Sequence, residues 1–355
     1  MEKIQCAVLG ATGTVGQRFI QLLEDHPYFE PVALAASRRR EGEPYGSSVK
    51  WLLEGDIPHD ATSMKLIPLD PVFIEDSGAR VVFSALPADV AHDLELELAR
   101  RGMWVFSNAA SHRMDDHVPI LIPEVNAHHL DIISAQDTPG KIVTNANCST
   151  TGLALGLAPL LPFGIRQVVV STYQALSGAG YPGVPSTDIL GNVIPYIGGE
   201  ERKMVEETRR ILGEVEDGRI IDHPVRVVAS CARVPVENGH LESVAVELEH
   251  RVAQATLIGA LNDFRGPDEM VELPTAPQRP LIVNSGPDRP QPRLDVMAGG
   301  PGRSSGMSVV IGRFHTIGNW VRFFLLSHNT IRGAAGGSIL NAELSQSRGL
   351  LEGPR

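Results

Sequence analysis

Cys148 is the residue of this chain best placed to act as a nucleophile. It stands in the run NCST (147–150), after a short apolar stretch and before the small, apolar segment Thr151-Leu161, which has helical character. Backbone dipoles at the start of a helix stabilise a thiolate, so this position favours a lowered pKa. A buried structural cysteine is the alternative, and position alone does not exclude it. Cys6 and Cys231 lie in strand-like runs and are interpreted as structural.

His240 is a candidate acid/base partner for this sulfur. A thiolate that attacks an aldehyde forms a thiohemiacetal, whose oxidation needs a base for the hydroxyl proton and a hydride acceptor. His240 follows a turn signal in RVPVENGH (233–240) and precedes the strand-like run Leu241-Arg251. A lone histidine is more often a surface or structural residue, and spacing alone does not select this one among the 12 in the chain.

A glycine-rich turn near the N-terminus has the order of a dinucleotide-binding site. The strand-like run Gln5-Leu9 leads into GATGTVG (10–16), and an amphipathic helix follows. Gly10 and Gly13 permit a tight turn and close approach of a pyrophosphate, whose charge is met by N–H groups at the helix start. An ordinary strand-to-helix turn is the alternative.

The end of the second strand favours NADP over NAD. An NAD site usually carries an acidic residue here for the ribose, whereas this chain reads AASRRR (35–40). Ser37 and the arginines from Arg38 onward suit a 2′-phosphate. A solvated basic loop is the alternative.

The elements that position these residues fall into two groups. Short apolar runs alternate with helical segments before Cys148, which predicts a Rossmann-type, doubly wound parallel α/β sheet. These are the strands Gln5-Leu9, Val32-Ala36, Val81-Ala85, Trp104-Ser107 and Ile142-Asn145 and the helices Gly16-His26 and Val90-Arg101.

After Cys148, longer strand-like runs predict a second α+β domain with a mixed or antiparallel sheet. The strands are Gln167-Gln174, Arg226-Ser230, Leu241-Arg251, Met307-Arg313 and Trp320-Ser327, with one polar helix at Gly199-Leu212. The proline-rich stretch Gly266-Gly306 predicts an extended surface connection without regular helix or central strand.

The last helix, Thr330-Gln346, contains Gly333, Gly336 and Gly337. Glycine destabilises an exposed helix, so we expect a backbone or a ligand to approach this face closely. We place this helix against the first domain. The predicted domains are 1–147 plus 329–355 for nucleotide binding, and 148–328 for catalysis and dimerisation.

Composition narrows the function further. With 355 residues and a formal charge of -11, the chain lacks the broad basic face that nucleic acid requires. No apolar run reaches the roughly 20 residues of a membrane span, and no cleavable leader is evident, so a cytoplasmic location is expected. Three cysteines without paired spacing predict neither a disulfide framework nor a metal site.

Five motifs together resemble the aspartate-semialdehyde dehydrogenase family, in particular its archaeal and fungal branch. They are GATGTVG (10–16), NANCST around Cys148, STYQALSGAG (171–180), RVPVENGH ending at His240, and LSHNTIRGAAG near the C-terminus. The resemblance implies NADPH-dependent reductive dephosphorylation of L-aspartyl 4-phosphate to L-aspartate 4-semialdehyde through a cysteine acyl-enzyme. This reaction belongs to lysine, threonine and methionine biosynthesis and needs no metal.

The resemblance also assigns roles to single residues. Cys148 is the expected nucleophile, His240 the acid/base, and Gln174 the residue that orients the intermediate. Phosphate is expected at Arg113 and Lys203, the substrate ammonium at Glu200, and its carboxylate at Arg233. The expected cofactor contacts are Gly10, Thr12, Gly13, Thr14, Val15, Ser37, Arg38, Ser84, Ala85, Ser177, Gly178 and Asn329.

Glu200 and Lys203 are three residues apart and share one helix face, as a catalytic pair or as a solvated ion pair. The sequence leaves the choice between Glu200 and Glu201 open. It predicts small-molecule substrates and a homodimer or homotetramer, because the apolar second-domain strands need covering.

Three alternatives stay open. A malonyl- or succinyl-coenzyme A reductase uses the same cysteine on a thioester. An N-acetylglutamyl-phosphate reductase is less favoured, because Ser-Thr-Thr follows Cys148 where Tyr-Pro is expected. A non-enzymatic NADPH-binding redox sensor with Cys148 as its oxidisable thiol is the third.

Overall fold

A computed structural model describes residues 2–351, so Met1 and residues 352–355 of the predicted first domain lie outside the described residues. Seven parallel strands form the first sheet, in the order β3-β2-β1-β4-β5-β7-β6. The strands are β1 Ile4–Leu9, β2 Phe29–Ala36, β3 Leu66–Pro68, β4 Val81–Ser84, β5 Trp104–Ser107, β6 Ile120–Leu121 and β7 Ile142–Asn145. The helices between them are α1 Thr14–Leu23, α2 Tyr45–Ser48, α3 His59–Ser63, α4 Pro71–Asp76, α5 Ala88–Arg100 and α6 Pro123–Asn126.

The predicted doubly wound sheet is confirmed. The strand order reverses direction between β1 and β4, which opens a crevice at the carboxyl ends of these strands. The glycine-rich turn follows β1 at this crevice, and α1 begins at Thr14, two residues earlier than predicted.

The second sheet is mixed, as predicted. Its order is β11-β8-β12-β15-β14-β13, with parallel outer pairs and antiparallel pairs between them. Its strands are β8 Ile165–Gln174, β11 Arg226–Arg233, β12 His240–Leu248, β13 Leu281–Asn284, β14 Val309–Ile317 and β15 Trp320–Ser327, and a separate hairpin contains β9 Glu214–Glu216 and β10 Arg219–Ile221. The remaining helices are α7 Cys148–Leu157, α8 Ser186–Ile189, α9 Glu200–Ile211, α10 Gln254–Asp263, α11 Pro292–Asp295 and α12 Gly336–Ser347.

The proline-rich stretch was predicted only in part. It contains β13, which pairs along one side with β14 at the edge of the sheet, and the short helix α11. An edge strand tolerates flanking prolines because only one of its sides needs ladder hydrogen bonds. No central strand forms in this part of the described chain.

Helix α7 connects the two sheets. It starts directly after β7 of the first sheet and packs against β15 of the second. A Cβ atom on Gly152 would lie 3.0 Å from the Ser327 side chain, and one on Gly156 would lie 3.1 Å from that of Leu325. Small residues on this face of α7 therefore let the helix approach the second sheet closely.

The C-terminal segment returns to the first sheet, as expected. A π-helical turn at Ile331–Ala335 leads into α12, whose Ile339 and Leu340 are buried in the core of that sheet. A Cβ atom on Gly333 would lie 2.7 Å from Cβ of Cys148, so glycine is required for this approach. The domain boundaries themselves stay a prediction.

A buried ion pair fixes this segment. Both guanidinium Nη atoms of Arg332 donate to the Glu124 carboxylate, at 2.8 and 2.6 Å, and both side chains are essentially unexposed. Breaking a buried pair from one side leaves an uncompensated charge, which is strongly destabilising.

We predict that Glu124→Gln lowers the free energy of unfolding by about 3–5 kcal/mol, because Arg332 keeps its charge without a counterion. Urea unfolding followed by circular dichroism measures this change. The control is Glu269→Gln, which removes the partly exposed pair with Arg348 and should cost about 1 kcal/mol or less. Equal losses in the two variants contradict the prediction.

Candidate active site

Three candidate residues meet at one edge of the second sheet. β8 and β11 run parallel and end at Gln174 and Arg233, which are partners in the strand register. β12 runs antiparallel to β8 and begins at His240, so its first residue lies at the same edge. Strand direction therefore brings together residues that are far apart in the sequence.

Cys148 is the first residue of α7 and faces this edge. The side chain of Asn147 caps the helix and accepts hydrogen bonds from N–H of Ser149 at 3.0 Å and of Thr150 at 3.1 Å. The Cys148 sulfur lies 3.1 Å from Nε2 of His240. The predicted nucleophile and acid/base are thus in contact, although 92 residues separate them.

The predicted lowering of the Cys148 pKa is wrong for this site without substrate. Burial raises the pKa of the thiol to about 12 and is reinforced by the charge of Glu200, while Arg113 and Arg233 act in the opposite direction. The desolvation cost of a thiolate exceeds the favourable effect of the helix start. Since Cys148 keeps partial exposure to a cleft, solvent or substrate that reaches the sulfur reduces this cost.

His240 is held as a neutral imidazole. Its side chain is fully buried, and burial, with the nearby Arg233 guanidinium, lowers its pKa to about 3. Nδ1 accepts a hydrogen bond from N–H of Ala175 at 3.1 Å, so the ring proton belongs on Nε2 and points at the sulfur. In this arrangement His240 donates to Cys148, which stabilises any thiolate that forms.

Glu200 is the carboxylate at the centre of the site. It is 5% exposed, and its Oε1 accepts from the Asn147 side-chain amide at 2.9 Å and from the Gln174 amide at 3.1 Å. Lys203 Nζ lies 3.7 Å from its other oxygen. Glu201 is exposed and accepts from the backbone N–H of Cys231 instead, so Glu200 is the one that faces the site.

Arg113 supplies a buried positive charge on the other side of Cys148. It lines the same cleft as Cys148 and Lys203, and its Nη1 donates to Glu207 at 2.8 Å. On the second-sheet side, Arg233 donates to the carbonyl of Ala175 at 2.7 Å. Both guanidinium charges act on Cys148, although only Arg113 lines the cleft.

This cleft, of about 730 Å³, extends from Cys148 to the glycine-rich turn. Among the residues predicted to act, those that line it are Gly10, Thr12, Gly13, Thr14, Val15, Ser37, Ala85, Arg113, Cys148, Ser177, Gly178, Lys203 and Asn329. Gly10 has a positive φ of 71°, and a Cβ atom there would lie 2.7 Å from the carbonyl oxygen of Ala85. The turn is therefore a cradle built from backbone, which fits a dinucleotide pyrophosphate at the start of α1.

Two predicted cofactor residues do not line the cleft. The Arg38 side chain is 78% exposed and pairs with Asp70 at 3.3 Å. Ser84 is fully buried at the end of β4. Ser37, which precedes Arg38 in the sequence, does line the cleft.

Two of the predicted cofactor contacts, Ser177 and Asn329, contact each other. Asn329 Nδ2 donates to the Ser177 hydroxyl at 2.8 Å, and its Oδ1 accepts from N–H of Gly239 at 2.9 Å. Asn329 therefore links the loop after β8 to the turn that presents His240.

Similarity to known proteins agrees with this geometry. A family model described as "Semialdehyde dehydrogenase, NAD binding domain" matches residues 5–133, and one described as "Semialdehyde dehydrogenase, dimerisation domain" matches residues 157–332. An aspartate-semialdehyde dehydrogenase of Archaeoglobus fulgidus is 47% identical over 95% of this chain and 96% of its own length. The chain belongs to the semialdehyde dehydrogenase family.

Two further members of the family are informative. A malonyl CoA reductase (NADP) of Metallosphaera sedula is 38% identical over 98% of both chains. The crystal structure of aspartate semialdehyde dehydrogenase with NADP from Candida albicans superposes with a TM-score of 0.88 at 36% identity, covering 98% of this chain and 100% of that one. The resemblance to archaeal and fungal aspartate-semialdehyde dehydrogenases is thereby confirmed.

Sequence reasoning missed three polar residues of this family site. Asn147 caps α7, a role that its position before a helix could have indicated. Glu207 is 2% exposed and stands four residues after Lys203, on the same helix face, which was a usable signal. Glu242 is fully buried two residues after His240, and neither carboxylate oxygen has a hydrogen-bond partner among the described residues.

The described residues offer neither a metal site nor a membrane span. No group of three or more His, Cys, Asp or Glu side chains within residues 2–351 has an arrangement that could hold a metal ion. In the same part of the chain, no helix is long and apolar enough to cross a bilayer.

We predict that iodoacetamide alkylates Cys148 of the free enzyme about tenfold faster per pH unit between pH 6 and 9, because only the thiolate reacts and its pKa lies above this range. Mass spectrometry of the labelled protein measures the rate. Cys148→Ser reports the background from the buried Cys6 and Cys231. A rate that levels off below pH 8 would instead indicate a preformed thiolate.

Proposed function

We propose that this chain is an NADP-dependent aspartate-semialdehyde dehydrogenase, which reduces L-aspartyl 4-phosphate to L-aspartate 4-semialdehyde and releases phosphate. The observation that carries this proposal is the 3.1 Å contact of Cys148 with His240, at a cleft that continues to the glycine-rich turn. The aspartate-semialdehyde dehydrogenases that this chain resembles support the substrate, and the relative solved with NADP supports the cofactor.

The first chemical step belongs to Cys148. Its sulfur attacks the acyl carbon of aspartyl phosphate, the bond from carbon to the phosphate oxygen breaks, and phosphate leaves with the electron pair of that bond. The thiol proton passes to the departing phosphate, which leaves as hydrogen phosphate. The Nε2–H of His240 stabilises the sulfur while its charge develops, and the Arg113 charge favours the same state.

Hydride transfer converts the resulting thioester to a thiohemiacetal. NADPH, when bound, supplies the hydride, and the residues Gly10 to Val15 that line the cleft would hold it. The chain then has to protonate the substrate oxygen and release the aldehyde from Cys148. His240 Nε2–H, 3.1 Å from the sulfur, is placed to donate a proton to that oxygen. It takes the proton back when the C–S bond breaks and the aldehyde leaves, and the Cys148 sulfur then takes a proton from solvent.

Gln174 and Glu200 orient the substrate. Glu200 holds the Gln174 amide at 3.1 Å, so this amide has a fixed direction before substrate arrives. We assign the substrate ammonium to Glu200 and its carboxylate to Arg233, and the phosphate to Arg113 with Lys203. A guanidinium offers the two parallel N–H groups that carboxylates and phosphates accept.

We predict phosphate-dependent reduction of NADP with aspartate semialdehyde as the substrate, and slower reduction of NAD. The increase in absorbance at 340 nm measures both. Cys148→Ser should abolish turnover and leave NADPH binding, followed by fluorescence titration, within about twofold of wild type, because the sulfur acts on the substrate only.

Two results would redirect this proposal. Oxidation of NADPH by malonyl-coenzyme A without activity on aspartate semialdehyde points to the reaction named for the Metallosphaera sedula relative. NADPH binding by a wild type that turns over neither substrate supports a redox sensor. The cytoplasmic location stays a prediction.

We also propose that β11, β8 and β12 form a dimer interface. Val228 and Val169 are register partners and are 42% and 37% exposed, and Ala245 continues their row on β12. Tyr173, 38% exposed, lies on the same face of β8. A row of apolar side chains across three neighbouring strands needs covering, and the dimerisation-domain match spans it.

We predict a mass of at least twice 38.3 kDa in light scattering at micromolar concentration. Val169→Arg should reduce this to the monomer mass, because it places a charge at the centre of the buried row. Val271→Arg is the matched control, since Val271 is 85% exposed and lies outside this sheet. A monomeric wild type refutes the interface.

A further inference from the structure

Glu207 occupies a position that none of the roles above explains. It lies on α9, is 2% exposed, and uses both carboxylate oxygens. Oε1 accepts from Nη1 of Arg113 at 2.8 Å, and Oε2 accepts from the backbone N–H of Asn147 at 2.7 Å. One buried carboxylate thus joins the candidate phosphate-binding arginine to the residue that precedes the nucleophile.

We propose that Glu207 is a positioning residue that sets the distance between Arg113 and Cys148 to fit the phosphate and the acyl carbon of the substrate. This inference rests on the proposed function. In an acyl phosphate, the bond lengths fix the distance between the phosphate and the acyl carbon. The distance from Arg113 to the Cys148 sulfur must therefore match it.

The hydrogen bonds of Arg113 show what Glu207 contributes. Nε donates to the carbonyl of Asn145 at 2.9 Å and Nη2 to the carbonyl of Asn108 at 2.8 Å. With the bond to Glu207, these occupy three of the five N–H groups of a guanidinium, and the other two, one on each Nη, are left for an anion. Glu207 is the side chain among the three acceptors, so it is the one that substitution can change.

The second oxygen acts on the nucleophile. Asn147 is the N-cap of α7, and its side chain accepts hydrogen bonds from the first N–H groups of this helix. The backbone N–H of Asn147 is in turn held by Glu207. A shift of Asn147 therefore moves Cys148, which is the next residue. A misplacement of about 1 Å can cost two orders of magnitude in rate.

The substitution Glu207→Gln tests whether Glu207 positions Arg113 and Cys148 or only stabilises the fold. A glutamine amide keeps the shape but presents an NH2 group to one of two donors, Arg113 or Asn147, so one hydrogen bond is lost. We expect KM for phosphate, in the direction that forms aspartyl phosphate, to rise at least about tenfold. KM for NADP should stay within twofold, because the nucleotide turn does not contact Glu207.

The controls separate this role from general loss of structure. Glu206→Gln alters the neighbouring, partly exposed residue that pairs with Arg202, and should leave KM for phosphate, for aldehyde and for NADP unchanged. If Glu207→Gln does not fold, Glu207→Asp is measured instead; it keeps the charge but shortens the reach, and the same selective rise in KM for phosphate is expected.

Two outcomes overturn the inference. A KM for phosphate within twofold of wild type shows that Arg113 does not depend on Glu207. Equal increases in KM for phosphate, aldehyde and NADP show a general structural role. A wild type without phosphate-dependent turnover instead refutes the proposed function, and the positioning role fails with it.

Discussion

The contact between the Cys148 sulfur and the His240 imidazole joins two separately built sheets. Cys148 belongs to the helix that leaves the first sheet, and His240 is the first residue of a strand in the second. Their 3.1 Å separation therefore depends on how the sheets are docked, since no local element contains both. Close packing of α7 on β15, and of Gly333 on Cys148, fixes this docking where an error of 1 Å would matter most.

Desolvation of buried charged side chains is the main free-energy cost of bringing the site residues together. Arg113, Glu207, Glu200 and Arg233 are each less than a tenth exposed. Each has a charged or polar partner at hydrogen-bond distance, which offsets much of the desolvation that burial imposes. The benefit is that these groups need no reorganisation when substrate enters, as electrostatic stabilisation of a transition state requires.

Local sequence signals predicted the parts of the structure that local forces determine. The glycine-rich turn and the alternating apolar runs encode their conformation within a few residues, and the doubly wound and mixed sheets followed from them. The pKa of Cys148 was predicted in the wrong direction, because desolvation comes from packing by distant segments. The spacing of Glu207 from Lys203 placed it on the same face of α9, but the many other charged residues of this helix obscured that signal.

Glu242 shows how the same packing controls charge beyond the nucleophile. Burial, with the nearby Glu200, raises the pKa of its carboxyl well above the usual range, which favours the neutral form of this group. It faces Thr172 and Leu325 across the sheet and stands two residues from His240. Dense packing thus raises the pKa of both the Cys148 thiol and the Glu242 carboxyl, and the charge of Glu200 adds to both shifts.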